Sequence, residues 1–173
     1  MDLDAHTNNI EFNQATRSDL PYIVDVYNES IPGRMATADL EPISVGERVE
    51  WFKQHEPNHR PLLIINYDGD RAGWLSLSSF YGRPAYDETV EISIYIDNNF
   101  QHRGLGNAAV NHAEKAAARI GVKNILAFIF AHNTPSLHLF EKNGYEQWGH
   151  LPDVALMDGK QRSLNILGKR IAD

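Results

Sequence analysis

Apolar residues change their spacing along the chain, and each change predicts an element. Ile10 to Ala15 is short and predicts a first strand. Thr16 to Asp19 offers capping side chains and Pro21 falls near a first turn. Leu20, Ile23, Val24, Val26 and Tyr27 then follow helical spacing. Ile31 to Pro42 contains Pro32, Gly33 and Pro42 and predicts a loop. Ser44 caps a second predicted helix running to about Gln54, with Val45, Val49 and Phe52 on one side. Leu62 to Tyr67 and Ala72 to Phe80 are apolar runs around the turn signal Asp68-Gly69-Asp70, a hairpin pattern. Tyr81 to Asp87 reads as a loop. In Glu88 to Ile96 the period is two, so Val90, Ile92, Ile94 and Ile96 oppose Glu91, Ser93 and Tyr95.

The second half alternates strands and helices. Asp97 to Gly106 leads into an alanine-rich helix through about Ile120, closed by Gly121. Asn124 to Phe130 is an apolar strand, Asn133 to Asn143 a short helix ended by Gly144. Tyr145 to His150 and Arg162 to Gly168 predict the last strands, with a turn at Asp158-Gly159. The order β-α-α-β-β-β-α-β-α-β-β predicts an α/β (α+β) fold, a mixed sheet with helices packed on it. Residues 1–9 are polar and acidic and predict a disordered lead-in, and 10–173 predicts one domain.

Composition removes several functions. The 173 residues include no cysteine, which excludes disulfides, thiol nucleophiles and thiolate metal sites. The eight histidines show no metal-ligand spacing, so no metal is expected. The net charge of −7 argues against a nucleic-acid partner. No apolar run is long enough to span a membrane, and a cytoplasmic location is the default expectation.

Candidate chemistry concentrates in Gln101-His102-Arg103-Gly104-Leu105-Gly106, between a strand and a helix. Gly104 and Gly106 permit close backbone approach, and the helix N-terminus offers unpaired N–H groups and partial positive charge. Together these suit a pyrophosphate. An ordinary turn has the same look. A dinucleotide site would place Ala109 at the third glycine position, but it belongs at a first strand-helix turn, not after several strands.

The segment resembles the GNAT superfamily of N-acetyltransferases, in which a Gln/Arg-x-x-Gly-x-Gly/Ala loop holds the pyrophosphate of acetyl-CoA. Gln101, Gly104 and Gly106 match it, and Asn133, Ser136, Leu139, Phe140, Gly144 and Tyr145 match the family's later Asn-helix-Gly-Tyr motif. Tyr27-Asn28-Glu29, Glu41-Pro42, Arg48, Trp51-Phe52, Arg83-Pro84-Ala85-Tyr86 and Thr89-Val90-Glu91 are similar to the phosphinothricin and methionine sulfoximine acetyltransferase branch. The resemblance implies a mostly antiparallel sheet with helices on both faces. It implies acetyl-CoA as co-substrate, held by Ile94, Ile96, Gln101, His102, Arg103, Gly104, Leu105, Gly106, Asn133 and Ser136. It implies a small amine as acceptor, Glu91 as general base, and a homodimer, since such enzymes are often dimers. Phe140 stands where the branch has a His and other members a Tyr acid.

Each residue also has a plainer reading. Glu91 could be a surface residue of a half-exposed strand; as a base it would take the proton that a lysine-like amine, with pKa ~10, must lose before attack. Asn133 could simply cap its helix. Arg83 and Arg34 lie on loops, where a guanidinium can grip a carboxylate with two bonds; Tyr86 and Thr37 are further candidates for lining the acceptor site. The leading expectation is an N-acetyltransferase in which the acceptor amine attacks the thioester directly, with no covalent enzyme intermediate. A non-catalytic acyl-CoA sensor on the same fold is the alternative.

Overall fold

In the computed structural model, which describes residues 9–173, β1 (Ile10–Gln14) leads through a 3-10 turn (Arg17–Asp19) into α1 (Leu20–Ser30). A loop and a 3-10 turn (Gly46–Arg48) precede α2 (Val49–Lys53). Then come β2 (Leu62–Tyr67), β3 (Asp70–Ser79), a 3-10 turn (Pro84–Tyr86) and β4 (Thr89–Ile96). A 3-10 turn (Asn98–Phe100) precedes α3 (Leu105–Arg119), β5 (Asn124–Phe130), α4 (Thr134–Lys142), β6 (Glu146–Met157) and β7 (Lys160–Arg170). Of the expected lead-in, residues 1–8 lie outside the described residues. Asn9 is held by paired backbone and side-chain bonds with Asp68.

The strands form one sheet in the order β1-β2-β3-β4-β5-β7-β6. Only β4 and β5 run parallel, so the sheet is mixed and mostly antiparallel, as the resemblance implies. Strand alternation sends side chains to two cores. Leu63, Ile65, Leu75, Leu77, Val90 and Ile92 face α3, while Leu62, Ile64 and Trp74 face α1. On α3 the buried residues Leu105, Ala109, Val110, Ala113 and Ala117 form one stripe. Its alanines let the helix lie close on the sheet.

Two expectations need correction. The helix from Ser44 to Gln54 is shorter: Ser44 and Glu47 exchange capping bonds, but the first turn is 3-10 and the α-helix is only Val49–Lys53. The strand Tyr145 to His150 is instead β6, running to Met157. Pro152 and Asp153 look like a break in sequence. The structure absorbs them in a register shift between Leu151 and Ala155, with Asp153 at φ 50° and its N–H bonded to Ser163 Oγ. Asp158 and Gly159, at φ 52° and 77°, then form a tight two-residue hairpin turn.

One feature of the sheet positions the site. β4 and β5 pair only over Thr89–Glu91 and Asn124–Leu126. Beyond Glu91, β4 stays bound to β3 as far as Ile96, and β5 stays bound to β7 as far as Phe130. Each strand follows its outer partner, and a slot opens between them.

Candidate active site

The slot is a cavity of about 550 Å³ that reaches both faces of the sheet. Alternation divides its walls. On the α3–α4 side lie Ile92, Ile94 and Ile96 of β4, Ala127 and Ile129 of β5, and Gly106, Asn133, Ser136, Leu139 and Phe140. On the other side lie Glu91, Ser93, Tyr95, Phe128 and Phe130, roofed by Met35 to Ala38 and walled by Val154, Ala155 and Leu164. The two sides differ in chemistry.

On the α3–α4 side, Gly104 precedes α3 at φ 75°, a left-handed conformation that favours glycine. No atom lies within 4 Å of where its Cβ would be, so conformation and not crowding selects glycine there. Gly106 is different: a Cβ would meet Leu139 Cδ2 at 3.1 Å, and glycine lets α3 and α4 come together. Gln101 Nε2 donates to Ile96 O at 3.0 Å, folding the loop back on the end of β4. Gln101, His102 and Arg103 are exposed, and the Arg103 guanidinium lies 5.2 Å from the Tyr67 ring centre and 5.5 Å from that of Phe100. The first-turn N–H groups of α3 have no intrahelical partners. An open backbone cradle with a fixed cation beside it fits a pyrophosphate. Asn133 caps α4 by accepting from Ser136 N–H at 3.3 Å, the plainer reading of that residue, and it also lines the slot.

The opposite side centres on Glu91. It is the only charged residue lining the slot among the described residues, and burial pushes its carboxyl above the usual range. Tyr95, two turns of the pleat further, is raised by burial as well and donates to Ala36 O at 3.3 Å. The roof, residues 31–42, is pinned on every side. Asn133 Nδ2 donates to Met35 O at 3.2 Å and His132 Nε2 donates to Arg34 O at 2.9 Å. Tyr27 OH meets Thr37 Oγ1 at 2.5 Å and donates to Asp39. The Arg48 guanidinium covers the Tyr27 ring at 4.8 Å.

The site residues read from sequence therefore separate. Glu91, Ile94, Ile96, Gly106, Asn133, Ser136 and Thr37 line the slot. Arg34 does not. Its donors are committed to Asp158 at 2.9 Å, Ile31 O and Leu40 O, which makes it a brace of the roof. Arg83 and Tyr86 line a second cleft, about 380 Å³, with His59, Arg60, Phe80 and Asp87. That cleft begins beside Glu91, because Ser78 pairs with Glu91 and Ser79, a lining residue, pairs with Val90. Phe140 is buried and packs edge-on against Tyr145, with ring centres 5.0 Å apart. Sequence reasoning missed Met35, Phe128, Phe130, Val154 and Leu164. The parity of β5 relative to Ala127 and Ile129 was the available signal for two of them. Among the described residues no group of three or more His, Asp or Glu side chains converges on one point.

Comparison with known proteins identifies the family. Residues 22–145 match the Acetyltransferase (GNAT) family. YwnH of Bacillus subtilis, named as a candidate phosphinothricin acetyltransferase, is 45% identical over 159 residues, covering 91% of this chain and 97% of YwnH. The phosphinothricin N-acetyltransferase of Streptomyces viridochromogenes is 30% identical over 142 residues, 82% of this chain and 77% of that enzyme. A crystal structure described as that of a candidate phosphinothricin N-acetyltransferase superposes with a TM-score of 0.91 at 43% identity, over 95% of this chain and all of the other. The chain belongs to the GNAT family of acetyltransferases, enzymes that take their acetyl group from acetyl-CoA.

Proposed function

We propose that the protein acetylates the α-amino group of an amino acid or a close analogue, with Glu91 as general base. The observation that carries this is Glu91 itself: a lone, partly desolvated carboxylate in the slot at the point where β4 and β5 part. The names of the relatives support the acceptor class, since phosphinothricin is a glutamate-like amino acid.

Acetyl-CoA supplies an acetyl group already activated as a thioester. The residues Gln101 to Gly106 hold its pyrophosphate on backbone N–H groups, and Ile94, Ile96, Asn133 and Ser136 line its arm. On the other face Glu91 accepts the amine proton, directly or through one water, so that the free amine can attack. Its raised carboxyl suits that task, because a weaker acid is a better base. Phe140 donates no proton. A thiol of pKa ~8.5 leaves as thiolate at neutral pH without one. Arg83 reaches from the adjoining cleft to grip the acceptor's carboxylate, with Tyr86 and Thr37 completing the pocket.

We further propose that residues 10–173 work as one domain, in the cytoplasm and as a homodimer. Trp148, Leu151, Val154 and Leu156 of the edge strand β6 are 48, 41, 58 and 66% exposed, apolar surface on a sheet edge that a second copy would cover. No helix among the described residues is long and apolar enough to cross a membrane.

The deciding experiment is a coenzyme-release assay with acetyl-CoA and a panel of amino acids and their sulfone, sulfoximine and phosphinic analogues. Turnover of at least one, lowered about 10²–10⁴-fold in Glu91→Gln, is expected. No turnover with any amine, despite tight coenzyme binding, would instead make the protein an acyl-CoA sensor.

A further inference from the structure

Asp97 is the one carboxylate among the described residues that is nearly fully buried, 7% exposed. Among those residues no cation pairs with it. An uncompensated buried carboxylate is costly unless its lone pairs are filled. Here they are. Oδ1 accepts from Asn99 N–H at 2.9 Å, and Oδ2 accepts from the Tyr22 hydroxyl at 3.0 Å. The backbone of the same residue donates to Ala72 O at 2.9 Å and accepts from Phe100 N–H at 2.9 Å. Four bonds thus converge on the residue that ends β4 and opens the turn into Gln101.

Two of the handles on this turn come from α1. Tyr22 holds Asp97, and Glu29, seven residues later on the same helix face, accepts from Asn98 N–H at 3.2 Å. Burial raises the Tyr22 phenol, which keeps its proton available for donation. Arg71 fixes that ring, with its guanidinium 4.5 Å from the ring centre and a 3.3 Å ion pair to Asp19.

We propose that Asp97 is a positioning residue for acetyl-CoA: tied to α1, it fixes the 97–100 turn and thereby the direction of the backbone N–H groups of Gln101 to Gly106. This rests on the reading of that loop as the pyrophosphate cradle. Asp97 does not line the slot, so its effect is expected to fall on donor affinity alone. Two hydrogen-bond acceptors are what the turn needs, and an amide oxygen supplies part of that.

The test uses the full chain. Asp97→Ala is expected to raise the calorimetric Kd for acetyl-CoA, and its KM, about tenfold. With saturating donor, kcat and the acceptor KM are expected to stay within about twofold. Asp97→Asn is expected to recover most of the affinity. Tyr22→Phe, which removes one bond and should fold normally, is expected to raise Kd about threefold. Unchanged Kd in Tyr22→Phe and in whichever Asp97 variants fold would overturn the proposal, as would equal losses for donor and acceptor accompanied by a lower Tm. Gly104→Val separates the two readings. If it weakens donor binding and Asp97→Ala does not, the cradle stands and only the role of Asp97 fails.

Discussion

The two mouths of the slot are built in opposite ways. At the α3–α4 mouth a continuous stretch of backbone, Gln101 to Gly106, reaches the slot at Gly106, with one short helix beside it. The mouth around Glu91 is a mosaic: Met35 to Ala38 from a loop, Glu91 and Tyr95 from β4, Phe128 and Phe130 from β5, Val154 and Leu164 from the last hairpin. The first presents main-chain groups that any sequence with the right glycines can supply. The second presents side chains drawn from four separate segments of the chain. The proposed function puts the donor, common to a whole family, at the first mouth and the variable acceptor at the second.

Substitutions that strike one mouth and spare the other put this contrast at risk. The largest expected effect is on Glu91, where proton acceptance is removed while shape is kept. Glu91→Gln should lower kcat by about 10²–10⁴-fold with little change in donor Kd, and its residual rate should climb with pH as free amine forms unaided. In the unaltered protein the rate should fall as pH drops through the raised Glu91 carboxyl, and the variant should lose that limb; near-normal kcat at neutral pH would dismiss Glu91 as the base.

Next in size is Gly104→Val, which forces a β-branched side chain into a left-handed position. Donor Kd is expected to rise by more than about tenfold while the acceptor KM holds, in a variant whose circular dichroism is unchanged. Arg83→Ala should raise KM for an amino acid about tenfold, the order of one lost charge-assisted pair, and leave a simple alkylamine nearly unaffected. Equal effects on both acceptors would show that Arg83 does not read the carboxylate. Arg34→Ala unties the roof from Asp158 and should raise acceptor KM by a factor of about three, with donor Kd unmoved. A change in donor binding there would mean that the mouths are not independent.

The smallest effect is on stability. Because the folded carboxyl of Glu91 titrates above its unfolded value, the unfolded chain releases the proton first as pH rises. The charged residue therefore lowers stability progressively from the unfolded pKa up to the folded one. Glu91→Gln should have the higher Tm at neutral pH, by a degree or more, with the gap closing toward acid pH.

What the sequence revealed follows the same division. Gln101, Gly104 and Gly106 are close in sequence because the cradle is local, and the period of β4 placed Ile94 and Ile96 on the face they occupy. Helical spacing found α1 and α3 because their apolar stripes are long. The mosaic mouth was harder to read. Nothing local says that Met35 and Leu164 line one slot, since that depends on how far β4 and β5 diverge. Arg34 looked like a free loop arginine because its partner, Asp158, is 124 residues away. Pro152 hid half of β6, because a bulge that rescues a strand has no signature until the partner strand is in place.

The parting of β4 and β5 has a kinetic consequence. The sheet acts as a partition with a window where β4 and β5 part, and on the proposed reading the two substrates would arrive at that window from opposite faces. On that reading neither would block the other's entry, so both would be bound when the acetyl group moves and no acetylated form of the protein would accumulate. Released CoA should then compete with acetyl-CoA but not with the amine, and the N-acetylated product should show the reverse pattern. An inhibitor made by joining an acceptor amine to the CoA sulfur would thread the window and occupy both halves at once.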